Sequence, residues 1–193
     1  MAGNVLVVHG GGPTAVINAS LYGVIMEAKE SGVIDHVYGA IGGSEAVLKE
    51  QFLDLMKYPQ EKLELLLTTP ATAIGSSRYA LEEEDYQAMG AIFKKHDIRY
   101  VLLNGGNGTM DACGHIYEVC KDQDIKVVGI PKTIDNDIAM TDHSPGYGSA
   151  ARFIAASTQE VGEDVKSLPI HVCIMEAMGR NAGWLTGAAV LAK

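Results

Sequence analysis

The sequence predicts an α/β fold with a mostly parallel β-sheet and helices on both faces, and three observations lead to that prediction. Short apolar runs alternate along the chain with segments of helical periodicity, as expected when a helix connects each strand to the next. Glycine-rich turns follow two of the apolar runs and stand just before predicted helices. Hydrophobic residues make up 47% of the 193 residues, which is enough to cover both faces of a sheet.

The elements of the first half follow from their local patterns, taken in chain order. Residues 4–9 form a β-rich run that ends in Gly-Gly-Gly-Pro, and helical periodicity follows over 16–29. A weaker apolar run predicts a strand at 36–40, and helical spacing predicts a helix at 45–56. The helix predicted at 82–96 begins with several glutamates, which suit the positive end of a helix dipole.

The second half continues the same alternation. Residues 99–104 are an apolar run that leads into Gly-Gly-Asn-Gly, and 126–130 are another that leads into Pro-Lys-Thr. The remaining predicted elements are helices at 109–121, 149–166 and 181–192 and a last strand at 170–175. In this order of strands and helices, the connections cover both faces of one sheet.

The composition excludes several classes of protein. A net charge of −9 argues against a general nucleic-acid binder, which needs a basic face. No apolar run reaches the length that crosses a membrane. The three cysteines have no metal-binding spacing, and their odd number without a signal peptide is typical of a reducing cytosol. We therefore expect a cytoplasmic protein without a membrane or nucleic-acid partner.

The run Gly-Ile-Pro-Lys-Thr-Ile-Asp-Asn-Asp at 129–137 is the most informative part of the sequence. It places Asp135 and Asp137 two residues apart in a turn after a buried strand, with Thr133 and Lys132 just ahead. In α/β proteins, ligands bind at the carboxyl ends of parallel strands. A proton acceptor, a candidate metal anchor and a fixed cation are the parts of a phosphoryl-transfer site. The alternative is a pair of aspartates that caps local backbone in an Asx-turn.

Two glycine-rich loops, at 10–13 and 105–108, each connect a predicted strand to a predicted helix. Glycine lets the backbone approach a phosphate closely, and the amino end of a helix supplies N–H donors. Arg78 and Arg180 lie in two further glycine-containing loops and are candidates to bind phosphoryl oxygens. For the loops the alternative is simple turn geometry, and for each arginine it is a solvated surface side chain.

Four motifs, taken in their order along the chain, resemble those of the 6-phosphofructokinases: Gly-Ser-Ser-Arg at 75–78, Gly-Gly-Asn-Gly-Thr at 105–109, Pro-Lys-Thr-Ile-Asp-Asn-Asp at 131–137 and Met-Gly-Arg at 178–180. That family transfers a phosphoryl group to the 1-hydroxyl of fructose 6-phosphate in glycolysis, with Mg²⁺. The resemblance implies a donor-binding domain at 1–146 and the start of a truncated sugar-phosphate domain at 147–193. It also implies a homo-oligomer when the protein is full length.

The resemblance also implies a role for each matching residue. Asp135 would accept the proton of the sugar hydroxyl and Arg180 would steady the transferring group, with Thr133 and Lys132 completing the catalytic set. The sugar would be held by Thr133, Asp135, Asp137, Met178, Gly179 and Arg180. The donor phosphates would be faced by Gly11, Arg78, Gly106, Asn107, Gly108 and Thr109.

Three positions bear on the metal and the donor. Asn107, the candidate metal ligand, stands where the family usually has an aspartate, and an amide holds Mg²⁺ less strongly than a carboxylate does. Gly108 leaves room for the α-phosphate of ATP, whereas Lys132 is the residue that pyrophosphate users in the family usually carry. We expect ATP as the donor, because steric exclusion is harder to evade than an extra cation is to tolerate, with pyrophosphate as the alternative.

Two other functions stay open. The chain is short and resembles only the amino-terminal part of such an enzyme, so a non-catalytic phosphate-binding paralogue or fragment would also fit, as would the amide at Asn107. A dinucleotide-dependent oxidoreductase is disfavoured, because no clean G-x-G-x-x-G stands ahead of an acidic residue about 20 positions further on.

Overall fold

The computed structural model describes residues 3–192. These residues divide into two compact units, of which the first ends at Lys132 and the second begins at Thr133. The units are defined by packing, whereas the predicted domains at 1–146 and 147–193 are defined by what each would bind. That functional division therefore stays a prediction.

The first unit contains a five-stranded sheet in the order β3-β2-β1-β4-β5. The strands are β1 (Gly3–His9), β2 (Ile34–Ala40), β3 (Phe52–Asp54), β4 (Ile98–Gly105) and β5 (Lys126–Pro131). Strands β2, β1, β4 and β5 pair in parallel, and only the short edge strand β3 is antiparallel. The predicted mostly parallel sheet is confirmed, and β1, with neighbours on both sides, lies at its centre.

Helices cover both faces of this sheet, as predicted. In the first unit they are α1 (Ile17–Ser31), α2 (Ser44–Leu48), α3 (Gln60–Glu64), α4 (Glu83–Lys95) and α5 (Asn107–Cys120). Leu6 and Val8 of β1 pack with side chains of α2, α4 and α5 on one face. Val5 and Val7 pack with side chains of α1 and α3 on the other. Successive residues of β1 from Val5 to Val8 therefore alternate between two hydrophobic cores, as the period of two along a strand requires.

Local sequence explains where the longer helices begin and end. Glu82 and Asp85 form a reciprocal capping box at the start of α4, in which each side chain accepts a hydrogen bond from the other residue's backbone N–H. The acidic first turn predicted there is confirmed. Helix α1 ends at Ser31 and is capped by Gly32, whose φ of 64° is the left-handed conformation that glycine adopts without strain.

The helix predicted over 45–56 is wrong in its second half. The helix stops after Leu48, and Glu50 adopts a left-handed φ of 53° that breaks the helical path. Residues Phe52–Asp54 then form the edge strand β3 against β2, and the Asp54 side chain accepts from the backbone N–H of Met56 at 3.1 Å. Apolar residues in this segment fit either structure, and pairing with β2 decides the outcome.

The second unit contains α6 (Tyr147–Ser167), which confirms the helix predicted at 149–166, and the short α7 (Trp184–Ala188). The helix predicted at 181–192 is thus present only in part, followed by a 3₁₀ turn. The strand predicted at 170–175 does not form, and Val172 and Ile174 are 74% and 91% exposed. A strand needs a neighbour for its N–H and C=O groups. Within the described part of the second unit, no segment pairs with this one.

Among residues 3–192, no helix combines the length and the apolar character needed to cross a membrane.

Candidate active site

The two glycine-rich loops meet at the point where the strand order of the first unit reverses. The chain passes from β1 to β2 on one side of the sheet, whereas it passes from β4 to β5 on the other. Because β1 and β4 are neighbours, the connections that leave their carboxyl ends run in opposite directions along the sheet. In open α/β sheets, a ligand-binding crevice lies at such a point. The first glycine loop (residues 10–13) follows β1, and the second glycine loop (residues 105–108) follows β4. Both predicted loops therefore lie at the position where open α/β sheets bind ligands.

Thr109 fixes the distance between the two loops. A Cβ atom on Gly10 or on Gly105 would overlap the Thr109 side chain, so both positions require glycine. The threonine is half-buried between them. Its predicted role as a donor-binding residue stays a prediction, and the structure adds a packing role that spacing along the sequence did not reveal.

Two cations flank the first glycine loop. The Lys132 ammonium donates a hydrogen bond to the Gly12 carbonyl and lies 3.7 Å from the position that a Cβ on Gly11 would occupy. A guanidinium nitrogen of Arg78 lies 3.9 Å from the corresponding position on Gly12. Lys132 is buried, with 4% of its surface exposed, whereas Arg78 is exposed. One cation is therefore fixed inside the unit and the other reaches the loop from solvent, an arrangement suited to an anionic ligand.

The first turn of α5 forms the other side of this crevice. The helix begins at Asn107 after Gly106, and no side chain caps its amino end. Asn107 and Gly108 are both exposed, and a Cβ on Gly108 would meet no atom within 4 Å. An uncapped helix amino terminus presents N–H groups and a positive partial charge, which favour phosphate.

The residues around the crevice do not make a magnesium site by themselves. Mg²⁺ is usually held by one or two carboxylates together with substrate phosphates. Residues 3–192 contain no group of three or more histidine, cysteine, aspartate or glutamate side chains that could hold a metal. The charged side chains beside the first glycine loop, Arg78 and Lys132, are cations. Asn107 offers a single amide oxygen, which is too little to bind the ion without further ligands.

In the second unit, the aspartate turn (residues 133–137) is held by its own threonine and asparagine. The Thr133 hydroxyl accepts from the backbone N–H of Asp135 at 3.1 Å, and Thr133 N donates to the Pro145 carbonyl at 3.0 Å. Asn136 is buried in the left-handed conformation, with a φ of 54°. Its side chain accepts from Ser144 N at 2.7 Å and donates to the Asp142 carbonyl at 3.2 Å.

These hydrogen bonds bear directly on the alternative that the two aspartates cap the local backbone in an Asx-turn. The side chains that bond the local backbone are those of Thr133 and Asn136, not those of the two aspartates. One carboxylate oxygen of Asp135, Oδ1, is buried and has no hydrogen-bond partner among the described residues, and Asp137 is exposed. A buried carboxylate oxygen without a partner is costly. The turn therefore leaves a buried carboxylate oxygen of Asp135 available to accept a hydrogen bond.

The Met-Gly-Arg turn (residues 178–180) requires its glycine. Gly179 has a φ of 143°, and a Cβ there would overlap the Ala182 carbonyl oxygen. Ala182 N donates to the Gly179 carbonyl at 2.7 Å, and Arg180 follows with a left-handed φ of 48°. Met178 and Arg180 are both exposed. A non-glycine residue in this conformation is often found at functional sites.

The predicted site residues thus fall into three groups. The first unit gathers Gly11, Arg78, Gly106, Asn107, Gly108, Thr109 and Lys132 around its switch point. The second unit places Thr133, Asp135 and Asp137 in the aspartate turn and Met178, Gly179 and Arg180 in the Met-Gly-Arg turn. Sequence reasoning missed Ser76, whose hydroxyl donates to the Gly11 carbonyl at 2.6 Å, and the holding role of Asn136. An asparagine between two aspartates in a turn was the available signal for the latter.

Comparison with known proteins agrees with these motifs. A family model described as Phosphofructokinase matches residues 4–193. The chain is 40% identical over 193 residues to the pyrophosphate--fructose 6-phosphate 1-phosphotransferase of Rhodospirillum rubrum, covering 99% of this chain and 48% of that protein. It is 29% identical over 188 residues to the ATP-dependent 6-phosphofructokinase of Aliivibrio salmonicida, covering 96% of this chain and 56% of that one.

A solved structure shows the same fold. The crystal structure of the pyrophosphate-dependent phosphofructokinase from Marinobacter aquaeolei superimposes with a TM-score of 0.90 at 38% identity. The match covers 99% of this chain and 50% of that one. The chain therefore spans about half the length of these pyrophosphate-dependent proteins.

Proposed function

The chain belongs to the phosphofructokinase family, and we propose that it takes part in transfer of a phosphoryl group to the 1-hydroxyl of fructose 6-phosphate. The observation that carries this proposal is the aspartate turn. Thr133 and Asn136 satisfy the backbone there, and Asp135 keeps a buried carboxylate oxygen without a partner. Such a carboxylate is suited to accept a proton from a hydroxyl group that comes within hydrogen-bond reach.

Pyrophosphate is the donor that we propose, with ATP as the alternative. The relative described as pyrophosphate-dependent is 40% identical to this chain, and the ATP-dependent one is 29% identical. The expectation of ATP rested on open space at Gly108, and a side chain there would indeed meet nothing within 4 Å. Space permits a larger donor but does not require one, whereas the buried ammonium of Lys132 beside Gly11 favours a small, highly charged anion.

Each group of residues has a role in this proposal. The Gly12 N–H of the first glycine loop and the N–H groups at the start of α5 bind the donor phosphates, and Lys132 and Arg78 neutralise their charge. Asp135 accepts the proton of the sugar hydroxyl while the other residues of the aspartate turn and the Met-Gly-Arg turn hold the sugar. Arg180 stabilises the transferring phosphoryl group. Asn107 is the one side chain that we assign to a magnesium ion arriving with the donor.

Further parts of the proposal rest on family membership and on the sequence, not on the geometry of the site. We assign residues 1–146 to donor binding and 147–193 to the start of a sugar-phosphate domain. We also propose a cytoplasmic location and a homo-oligomeric assembly.

The reaction and the donor are tested together by one assay. The complete gene product is incubated with fructose 6-phosphate and either pyrophosphate or ATP, as the parent protein and as Gly108→Asp. We expect the parent to use pyrophosphate. The variant should fold, because the site is open, and should lose any use of ATP through steric overlap and like-charge repulsion while keeping pyrophosphate.

The other outcomes separate the alternatives. A parent that works only with ATP would overturn the choice of donor and leave the reaction intact. A folded parent that uses neither donor would contradict the proposed reaction and favour a non-catalytic phosphate-binding paralogue.

A further inference from the structure

His9 ends the central strand β1, directly before the first glycine loop, and it is completely buried. Its ring nitrogen Nδ1 lies 2.7 Å from the hydroxyl oxygen of Thr72. The Thr72 hydroxyl in turn donates to the Gly75 carbonyl at 3.2 Å. Thr72 and Gly75 belong to the segment that leads to Arg78, here called the Arg78 loop (residues 72–78). The histidine therefore touches the beginning of the loop that carries an exposed cation of the candidate donor site.

The hydrogen-bond chain determines which nitrogen of His9 carries the proton. A threonine hydroxyl has one proton, and here it is donated to Gly75. Thr72 must then accept from His9, so the proton lies on Nδ1. The pKa of His9 is lowered to about 4, first by burial and then by the charge of Lys132, so the ring is neutral at ordinary pH. In that tautomer Nε2 is an acceptor, and it is buried without a partner among the described residues.

Further bonds join the Arg78 loop to the end of β1. The Ser76 hydroxyl donates to the Gly11 carbonyl at 2.6 Å, and Gly11 N donates to the Ser77 carbonyl at 3.3 Å. Ser77 also forms a parallel bridge with Gly10. Ile74, 2% exposed, anchors the middle of the loop in the core on the α1 face. Two side chains hold the point where the loop begins: His9 contacts Thr72, and Asn18 Oδ1 accepts from Ala73 N at 2.8 Å.

We propose that His9 is a positioning residue for Arg78: its Nδ1–H holds Thr72, and Thr72 holds Gly75, so that the turn leading to Arg78 is fixed against the end of β1. The ligand of Arg78 is the donor phosphate of the proposed function, and to that extent the inference rests on it. The alternative is a histidine that only fills space in the core. A histidine that only fills space needs the volume of its ring, whereas a positioning histidine needs a hydrogen-bond donor at the position of Nδ1.

A matched pair of substitutions at His9 separates the space-filling role from the positioning role. The side-chain amide of His9→Asn can place an N–H near the position of Nδ1, whereas the longer amide of His9→Gln reaches toward the position of Nε2. Thr72→Val removes the hydroxyl while keeping the shape. Each variant of the complete gene product is measured for pyrophosphate binding by calorimetry. Amide hydrogen exchange over residues 72–78 is measured without ligand.

We expect His9→Asn to bind pyrophosphate within about threefold of the parent. His9→Gln should bind about 10-fold more weakly, the effect of one lost hydrogen bond, and its Arg78 loop should exchange faster. Thr72→Val should reproduce the effect of His9→Gln. The double variant with both substitutions should bind pyrophosphate no more weakly than either single variant. Restoration by asparagine is the signature of a positioning role.

Equal behaviour of His9→Asn and His9→Gln in both measurements would overturn the inference, as would a Thr72→Val variant that exchanges and binds like the parent. If the parent binds no pyrophosphate, the proposed donor is wrong, while hydrogen exchange in the same variants still decides whether His9 holds the Arg78 loop. If His9→Gln does not fold, the comparison of Thr72→Val with the parent gives the same decision.

Discussion

The first glycine loop and the Met-Gly-Arg turn both require a glycine but are held in different ways. Contacts from Ser76, Ser77 and Lys132 fix the first glycine loop, which follows a strand that is paired on both sides. In the Met-Gly-Arg turn the backbone bond is a local one from Ala182 N to the Gly179 carbonyl. The apolar segment before that turn forms no strand and is exposed. Loop residues are thus held firmly where the neighbouring strands find their partners within the same unit.

The aspartate turn is intermediate between these two. The described residues of the second unit form no sheet around it, but Asn136 and Thr133 bind both its backbone and the residues that follow. A short turn can therefore be shaped by its own side chains, even where a strand cannot form. This contrast makes the aspartate turn the most informative place to perturb the second unit.

The largest effect is expected from Asp135→Ser in the complete gene product. If the aspartate turn carries the general base, this change should lower turnover about 10²- to 10⁴-fold with little change in sugar binding. The matched control is Asp142→Ser, which removes an exposed carboxylate from the same loop and leaves its backbone carbonyl in place. Near-normal turnover of Asp135→Ser would show that the turn is shaped for another purpose.

The second prediction concerns the stability of the first unit at acidic pH. The folded-state pKa of His9 is lowered from 6.5 to about 4 by burial and by Lys132, so the unfolded chain binds the proton first as pH falls. Stability should therefore be complete above about pH 6.5 and decrease down to about pH 4, by about 3 kcal/mol at 1.36 kcal/mol per pKa unit. Urea unfolding followed by circular dichroism at several pH values measures this loss.

The control for that measurement is His9→Asn, which has no titrating side chain. Its stability should change less between pH 6.5 and pH 4 than that of the parent. An identical pH dependence in the two proteins would mean that His9 is not the group responsible.

A smaller loss of stability is expected from substitution of Asn136. Two substitutions separate the contribution of its hydrogen bonds from that of its backbone conformation. Asn136→Gly loses the bonds to Ser144 and Asp142 but accepts the left-handed backbone, and should cost about 1–3 kcal/mol. Asn136→Ala should cost about 1 kcal/mol more, because a side chain resists this conformation. Thermal unfolding of both variants gives the comparison. If alanine were tolerated as well as glycine, the φ of 54° would carry no strain.

The elements that were predictable from the sequence are those whose signals are local. The apolar runs of β1, β4 and β5 and the periodicity of α1, α4, α5 and α6 predicted these elements to within a few residues. The end of α2 was not predictable, because Glu50 takes a left-handed conformation without the glycine that usually marks one. The run at 170–175 has the composition of a strand, but forming a strand depends on a distant partner that composition does not reveal.

The candidate site divides in the same way. The pattern of strand, glycine-rich turn and helix predicted that both glycine loops would follow the carboxyl ends of parallel strands, where ligands bind in α/β proteins. The strand order that places these loops at the switch point came only from the structure. The sequence pattern did not predict that Thr109 packs against both Gly10 and Gly105. Nor did it predict that Thr133 and Asn136, rather than an aspartate, bond the backbone in and after the aspartate turn. Such details depend on contacts between residues that are distant in sequence, or on which of several polar side chains in a turn makes the hydrogen bond to the backbone.

The most direct test of a donor site at the switch point is titration of the isotope-labelled protein with pyrophosphate, followed by amide nuclear magnetic resonance. Sodium sulfate at matched ionic strength is the control for general anion effects. We predict that the largest shifts specific to pyrophosphate lie in the first glycine loop, at the start of α5 and around Arg78. No shift at millimolar pyrophosphate, or shifts largest outside these three segments, would contradict a donor site at the switch point.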